Sequence, residues 1–264
     1  MTYCVGLRLD RGIVFASDTR TNAGLDNIAT FSKMHVWERQ GDRVLVLLSA
    51  GNLAITQAVI SLIDEAIATQ PASGDVSLLD AATMFQAARL IGSAVQTAME
   101  IEKEAVAANP DLFASSFIFG GQIAGEGPRL FQIYSEGNFI EASEDTPFFQ
   151  IGEHKYGKPI LDRVAAPAMR MGEAAKLVLL SFDSTLRSNL SVGMPIDLLI
   201  YRRDTLEIGE QRRIEENDPY FRKLSAGWSE ALRDAFARIE EYEGADILTT
   251  PEFDWIAGKK RDAS

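Results

Sequence analysis

Cysteine is almost missing from the sequence: Cys4 is the only one, which excludes an intramolecular disulfide and any site built from several thiolates. Histidine is nearly as scarce. His35 and His154 come without a Gly-x-Ser-x-Gly elbow or a close carboxylate pattern, so neither a serine-histidine-acid triad nor a zinc site is expected, and no metal or cofactor is called for. A Gly-x-x-x-x-Gly-Lys-Ser/Thr loop is absent, which leaves nucleotide hydrolysis without support. Basic charge is short as well. The 26 Lys and Arg face 38 Asp and Glu for a net charge of −12, and no basic block reverses it locally, so a nucleic-acid partner is not expected. No apolar run approaches the ~20 residues of a membrane span, and the first ten residues lack the basic and apolar regions of a signal peptide. With a single cysteine, these absences predict a cytoplasmic chain that stays in water and has no membrane partner.

What the sequence does have is a globular composition, 46% hydrophobic and 24% charged, enough for one domain over residues 1–264 without linker or repeat. The runs Tyr3 to Asp10 and Gly12 to Ser17 read as a hairpin about Asp10-Arg11-Gly12, and His35 to Arg39 with Arg43 to Leu48 as another. Ile55, Val59, Ile63 and Ile67 then make a helical stripe, followed by a break at Pro71 to Asp75. Ser77-Leu-Leu-Asp80 has the form of an N-cap with a reciprocal acidic partner and predicts a long helix running towards Asn109-Pro110. A second β block comprises Ser115 to Ala124, Arg129 to Tyr134, Phe139 to Glu141 and Phe148 to Ile151. Helices about Lys158 to Val164 and Gly172 to Ser188, then strands Ile196 to Arg202 and Glu207 to Arg213, complete an order β, α, β, α, β. That order predicts an α+β core of two sheets with helices on both outer faces. Asp218-Pro219 opens an amphipathic helix over about 219–243, with Phe221, Leu224, Trp228, Leu232, Phe236 and Ile239 at three- and four-residue steps until Gly244. Residues 244–264 form a tail, either a docked strap or a frayed end.

The chemistry concentrates in the first fifty residues. Thr2 precedes the first strand, Asp18 ends the second in Ser17-Asp18-Thr19-Arg20, and Lys33 follows a polar loop, so a hydroxyl, a carboxylate and an ammonium can meet at one sheet end. A small second residue permits excision of Met1. Thr2 then carries a hydroxyl nucleophile and a free α-amine, whose ordinary pKa of ~7.7–8.0 suits a general base. Lys33 would favour the alkoxide and the unprotonated amine, and Asp18 would aim the ammonium. The loop Leu48-Ser49-Ala50-Gly51-Asn52 after an apolar strand offers the Gly51 N–H to an oxyanion. Taken singly, each of these residues is common in turns and on surfaces; the combination carries the reading. Cys4 is a rival amino-terminal nucleophile, but it requires removal of Met1 to Tyr3 and shortens the spacing to Asp18 to fourteen residues. A small buried hydrophobe is the better account of it.

Thr2, Asp18 in Ser-Asp-Thr-Arg, Lys33 and Gly51 in Ser-Ala-Gly-Asn resemble the amino-terminal threonine, aspartate, lysine and oxyanion glycine of proteasome β-type peptidases. Within that superfamily the segments Ile151 to Arg163 (IGEHKYGKPILDR) and Ser191 to Tyr201 (SVGMPIDLLIY) are most similar to the bacterial Anbu proteins, the ancestral β subunits. The resemblance implies a four-layer αββα sandwich of the N-terminal-nucleophile hydrolase type, acting as a threonine peptidase or amide hydrolase. It implies that Thr21, Ser49 and Leu53 line the first specificity pocket, where a Leu favours small or modest side chains. The implied partners are a peptide or protein substrate and further copies of the chain, in a ring or an open spiral; an ATP-dependent unfoldase is neither required nor excluded. Two departures stand out. Thr2 to Lys33 is thirty-one residues, one short of the usual proteasomal spacing, and Glu153 and Asn189 occupy positions of a supporting serine and aspartate, with Ser191 beside them. The altered shell keeps two alternatives open: a self-assembling scaffold with weak or no peptidase activity, and an amidase acting on small or γ-glutamyl-type amides.

Overall fold

The computed structural model describes residues 1–22, 28–69, 76–242, 253–254 and 259–260. Two compact units partition the chain, Met1–Asp218 and Pro219–Ser264. In chain order the first unit begins with strands β1 (Tyr3–Leu9), β2 (Gly12–Asp18), β3 (Arg20–Asn22), β4 (Ile28–Thr30), β5 (Met34–Arg39) and β6 (Arg43–Gly51). Helices α1 (Leu53–Thr69), α2 (Met84–Ile101), α3 (Lys103–Ala108) and α4 (Pro110–Phe113) follow. Next come strands β7 (Ser115–Ile123), β8 (Arg129–Ile133), β9 (Phe139–Glu141) and β10 (Phe148–Gly152). Helices α5 (Lys158–Val164) and α6 (Met171–Ser188) and strands β11 (Ile196–Arg202) and β12 (Glu210–Ile214) complete it.

The strands form two antiparallel five-stranded sheets, ordered β10-β1-β2-β11-β12 and β5-β6-β7-β8-β9, with β3 and β4 paired separately. Strand β6 shows how the sequence assigns its two faces. Val44, Val46 and Leu48 join Ile13, Phe15, Ile118 and Leu199 in a core between the sheets, whereas Leu45 and Leu47 turn outward to Ile55 and Val59 of α1 and Ile91 and Val95 of α2. Side chains alternate along a strand, so an unbroken apolar run belongs to a strand covered on both sides. The same holds for β2, which is buried at all seven positions between β1 and β11. Helix α6 covers the outer side of that sheet, packing on β1, β2 and β11. The observed fold is therefore α+β, with helices on the outer face of each of two apposed sheets.

Several boundaries differ from the sequence expectation. Strand β6 continues through Gly51, so the segment Ser49 to Gly51 is strand rather than loop. Ser77 does not open the long helix: its hydroxyl donates to the Asp80 side chain (2.6 Å) over a 3-10 turn, Leu78–Asp80. The helix starts instead behind Thr83, whose side chain accepts from the Gln86 N–H, and the path to Pro110 is divided among α2, α3 and α4. Strand β12 begins at Glu210 rather than Glu207. The break at Pro71 to Asp75, the helix stop at Gly244 and most of the 244–264 tail lie outside the described residues. In the second unit, α7 (Pro219–Arg238) is shorter than the predicted 219–243 span, and β13 (Phe253–Asp254) pairs with β14 (Lys259–Lys260). Among the described residues no helix is long and apolar enough to cross a membrane.

Two glycines give a direct test of this backbone. Gly152 ends β10 at φ +81°, and a Cβ there would lie 2.1 Å from the Thr2 carbonyl oxygen; at Gly172, on the first turn of α6, a Cβ would meet nothing within 4 Å. Gly152→Ala is expected to cost roughly 1–3 kcal/mol through strain and steric displacement, and Gly172→Ala to be neutral or stabilising by up to about 1 kcal/mol. Urea denaturation of both variants at one protein concentration checks the contrast.

Candidate active site

The β1-β2 hairpin places Cys4 opposite Ser17, which brings the start of β1 beside the end of β2. There the Tyr3 N–H donates to Asp18 Oδ1 (2.9 Å). Lys33 reaches the same carboxylate from the other sheet. The Phe31 N–H donates to Thr19 O (3.0 Å) and the Ser49 N–H to Lys33 O (2.9 Å), so the chain entering β5 is held between β2 and β6. The Lys33 ammonium then donates to Asp18 Oδ1 and to the Arg20 carbonyl, both at 2.7 Å. Asp18 is fully buried and Lys33 is 6% exposed. Burial pushes the Asp18 carboxyl above the ordinary carboxylate range; the Lys33 ammonium and the N–H groups of Tyr3 and Gly193 pull it the other way.

Residue 2 is fixed through its main chain. The Glu153 N–H donates to Thr2 O (2.6 Å), and the positive φ of Gly152 is what allows β10 to come this close. Tyr3 locks the next position. Its ring is fully buried against Phe182, and its hydroxyl donates to Ser181 Oγ (3.0 Å) and accepts from Gln150 Nε2 (2.5 Å). The α-amine of Met1 is drawn below its ordinary value of 8.0, first by burial and then by the Lys33 charge, with Asp18 and Glu153 opposing.

A cleft of about 770 Å³ opens in front of these groups. Thr2, Lys33 and Gly51 line it together with Thr21, Ser49 and Leu53, so six of the residues singled out in the sequence converge on one space, while Asp18 stands behind Lys33. Gly51 has φ +112°, and a Cβ on it would lie 2.2 Å from Ala114 O, so the position requires glycine. Strand alternation turns its N–H to the same side as that of Ser49, beyond the last β5-β6 rung at Met34 and Leu48 and hence towards the cleft. Asn52 Oδ1 then accepts from the N–H groups of Ala54 and Ile55, capping α1 immediately after Gly51.

Glu153, Asn189 and Ser191 do not line the cleft; they form a group behind residue 2. Asn189 Nδ2 donates to Glu153 Oε2 (2.8 Å), Glu153 Oε1 accepts from the N–H groups of His154 and Lys155, and the Ser191 N–H donates to Asn189 Oδ1. Burial raises the Glu153 carboxyl, but the hydrogen bonds from Lys155, Asn189 and His154 outweigh it and hold the group below its ordinary range. The stabilisation it gives is thus present above the unfolded Glu pKa and lost as pH falls through the lower folded value. Cys4 is fully buried, its Sγ lies 3.6 Å from Ser49 O, and burial pushes the thiol pKa up, as for a packed thiol rather than a nucleophile.

Three participants escaped the sequence reading: the Arg20 carbonyl on Lys33, the Gly193 N–H 3.4 Å from Asp18 Oδ2, and His35 on the cleft wall. The first two act through backbone atoms, which carry no side-chain signature, although both residues lie inside motifs that the sequence made prominent.

No family model and no curated protein matches the chain. Solved structures match it closely. A structure described as Anbu from Hyphomicrobium sp. strain MC1 is 62% identical over 91% of this chain and 99% of its own, with a TM-score of 0.85. Anbu (ancestral beta-subunit) from Yersinia bercovieri is 46% identical over 91% of this chain and 98% of its own, also at a TM-score of 0.85. The helical assembly of the Anbu complex from Pseudomonas aeruginosa is 46% identical over 92% and 99% of the two chains, at 0.86. Identity of this order over nine-tenths of the sequence means that the chain belongs to the Anbu family of ancestral β subunits.

Proposed function

We propose that this Anbu protein is an amide hydrolase of the threonine-peptidase type, built on the four-layer sandwich of N-terminal-nucleophile hydrolases. The observation that carries the reading is the meeting of Thr2, Lys33 and Gly51 on one cleft, with Lys33 ion-paired to a carboxylate that also holds the Tyr3 N–H. After loss of Met1, the Thr2 hydroxyl attacks an amide carbonyl and its proton passes to the α-amine. The oxyanion forms beside the Gly51 N–H. The C–N bond breaks, the departing amine takes the proton, and an ester to Thr2 remains. Water then attacks the ester, giving a proton to the α-amine; that proton returns to the Thr2 oxygen as the acid leaves.

Lys33 favours both the alkoxide and the neutral amine by charge, and Asp18 holds it in place. The Pseudomonas aeruginosa relative forms a helical assembly, and we extend self-association to this chain, with copies enclosing or aligning their clefts. A second reading, a scaffold of low peptidase activity, is favoured by one observation: the Glu153 carboxylate is occupied by Asn189 and two backbone N–H groups, and so offers no free hydroxyl or acid to the nucleophile.

The two readings separate experimentally. Thr2→Ala is expected to abolish hydrolysis of fluorogenic peptide amides with no loss of fold. Lys33→Ala is expected to lower kcat/KM by about a hundredfold or more and, by leaving Asp18 buried and unpaired, to destabilise the protein by about 3–5 kcal/mol. Turnover that survives both substitutions contradicts the mechanism, and absence of turnover in the unmutated protein favours the scaffold.

The pH dependence has a defined sign. Lys33 shares the cleft with Thr2 and disfavours a charged amine on residue 2 once Met1 is lost, so the acid limb of the kcat/KM profile is expected to have its midpoint below the ordinary α-amine range of ~7.7–8.0. The Glu153 carboxylate, on the residue whose N–H holds Thr2 O, opposes that lowering by its charge. Glu153→Gln is thus expected to move the midpoint further down, and an upward move contradicts the assignment.

A further inference from the structure

The walls of the cleft are electrostatically one-sided. The chain has 38 acidic residues and a net charge of −12, yet among the described residues that line the cleft none is a carboxylate. Two are fixed cations, Arg20 and Lys33. His35 lines the cleft as well and is kept neutral near pH 7, because burial lowers its pKa despite the nearby Asp64. Asp64 is engaged elsewhere, accepting from the Trp37 indole at 2.8 Å.

The two cations are not equivalent. Lys33 is neutralised by Asp18 at 2.7 Å. Arg20 has no carboxylate partner among the described residues. One guanidinium N–H donates to Leu190 O (3.0 Å), and the group packs closely against Gly193, where a Cβ would come within 2.1 Å of Nε. Arginine so held presents its remaining donors in a fixed fork, the geometry that suits a carboxylate. Thr21, Thr56, Gln57 and Ser61 add neutral hydrogen-bonding groups to the same walls.

We propose that the cleft selects acyl donors that carry a carboxylate, with Arg20 as the residue that reads it: an amide whose acyl part is an acidic residue such as Glu or Asp. This inference rests on the hydrolase reading and adds a substrate class to it. Arg20 is a specificity residue here, not a member of the reacting group. An apolar side chain would leave the guanidinium desolvated and unmatched, and a basic one would meet it with like charge, so the preference contains both an attraction and a rejection.

Three fluorogenic peptide amides that differ only in the residue whose carbonyl is attacked, Glu, Gln or Lys, test the proposal. The Glu peptide is expected to exceed the Gln peptide in kcat/KM by about tenfold to a hundredfold, the range of one charge-assisted hydrogen bond, with Lys lowest. Because both peptides undergo the same chemistry, the ratio within one variant is insulated from any loss of overall activity. Arg20→Gln is expected to bring the ratio close to one. Gln57→Glu, which places a carboxylate on an exposed position of the wall, is expected to shrink the ratio of Glu to Lys turnover and covers the case in which Arg20→Gln does not fold. Anisotropy binding of the same peptides, dye-labelled, to Thr2→Ala separates this proposal from the hydrolase reading. Binding that favours Glu without turnover in the unmutated protein supports acidic recognition and removes the hydrolase. Equal turnover or equal binding of the Glu and Gln peptides, with Gln57→Glu leaving the ratio of Glu to Lys unchanged, overturns the acidic preference.

Discussion

Lys33 and Asp18 face each other at 2.7 Å beneath the surface, and the surrounding chain is arranged about that contact. Moving either charge out of water costs several kcal/mol, and an apolar pair of similar volume commonly serves stability as well or better. Stability alone therefore does not explain why the pair sits here. What the pair does is join segments distant in sequence. Its carboxylate accepts from the Tyr3 N–H of β1 and lies within 3.4 Å of the Gly193 N–H before β11, while its ammonium donates to the Arg20 carbonyl at the start of β3. A charge that must be matched from several sides permits few backbone arrangements.

Residue 2 inherits that restriction. Tyr3 is held by Asp18 at its N–H and by Ser181 and Gln150 at its hydroxyl, and the Glu153 N–H holds Thr2 O, so the position before β1 has little freedom left. Gly152 and Gly51 are needed on either side for a related reason: each brings a backbone close enough that a Cβ would collide with a carbonyl oxygen. The cleft is thus lined by Thr2, Gly51 and Gly152, whose backbone these contacts fix, and by residues of α1 and around β3 and β5. This division suits a site in which the chemistry is fixed and the choice of substrate is set by a few replaceable side chains.

Much of this was legible in the sequence, and the reason is the short reach of the hairpins. Thr2 and Asp18 flank one tight β1-β2 turn, so strand pairing alone brings them together; the apolar run of β6 fixes which residues follow Gly51 into α1. Ser77 misled because its hydroxyl chose the Asp80 carboxylate instead of a backbone N–H, leaving Thr83 to cap the helix. Glu153 and Asn189 were visible as unusual residues, but not as partners, since their contact bridges thirty-six positions and depends on where β10 and α6 end. Arg20 is the instructive case. Its motif drew attention to Asp18 next door, while its own guanidinium, with no carboxylate partner among the described residues, could be recognised only once the described residues lining the cleft proved to include no carboxylate.

The central claim is that this buried pair prepares residue 2, exposed as the chain terminus, to attack a carbonyl. The most direct measurement is to expose the purified protein to an electrophilic peptide and locate the adduct by intact and tandem mass spectrometry. The account predicts a single adduct on Thr2 of chains that have lost Met1. An adduct on any other residue, or one formed equally well on chains that retain Met1, would contradict it.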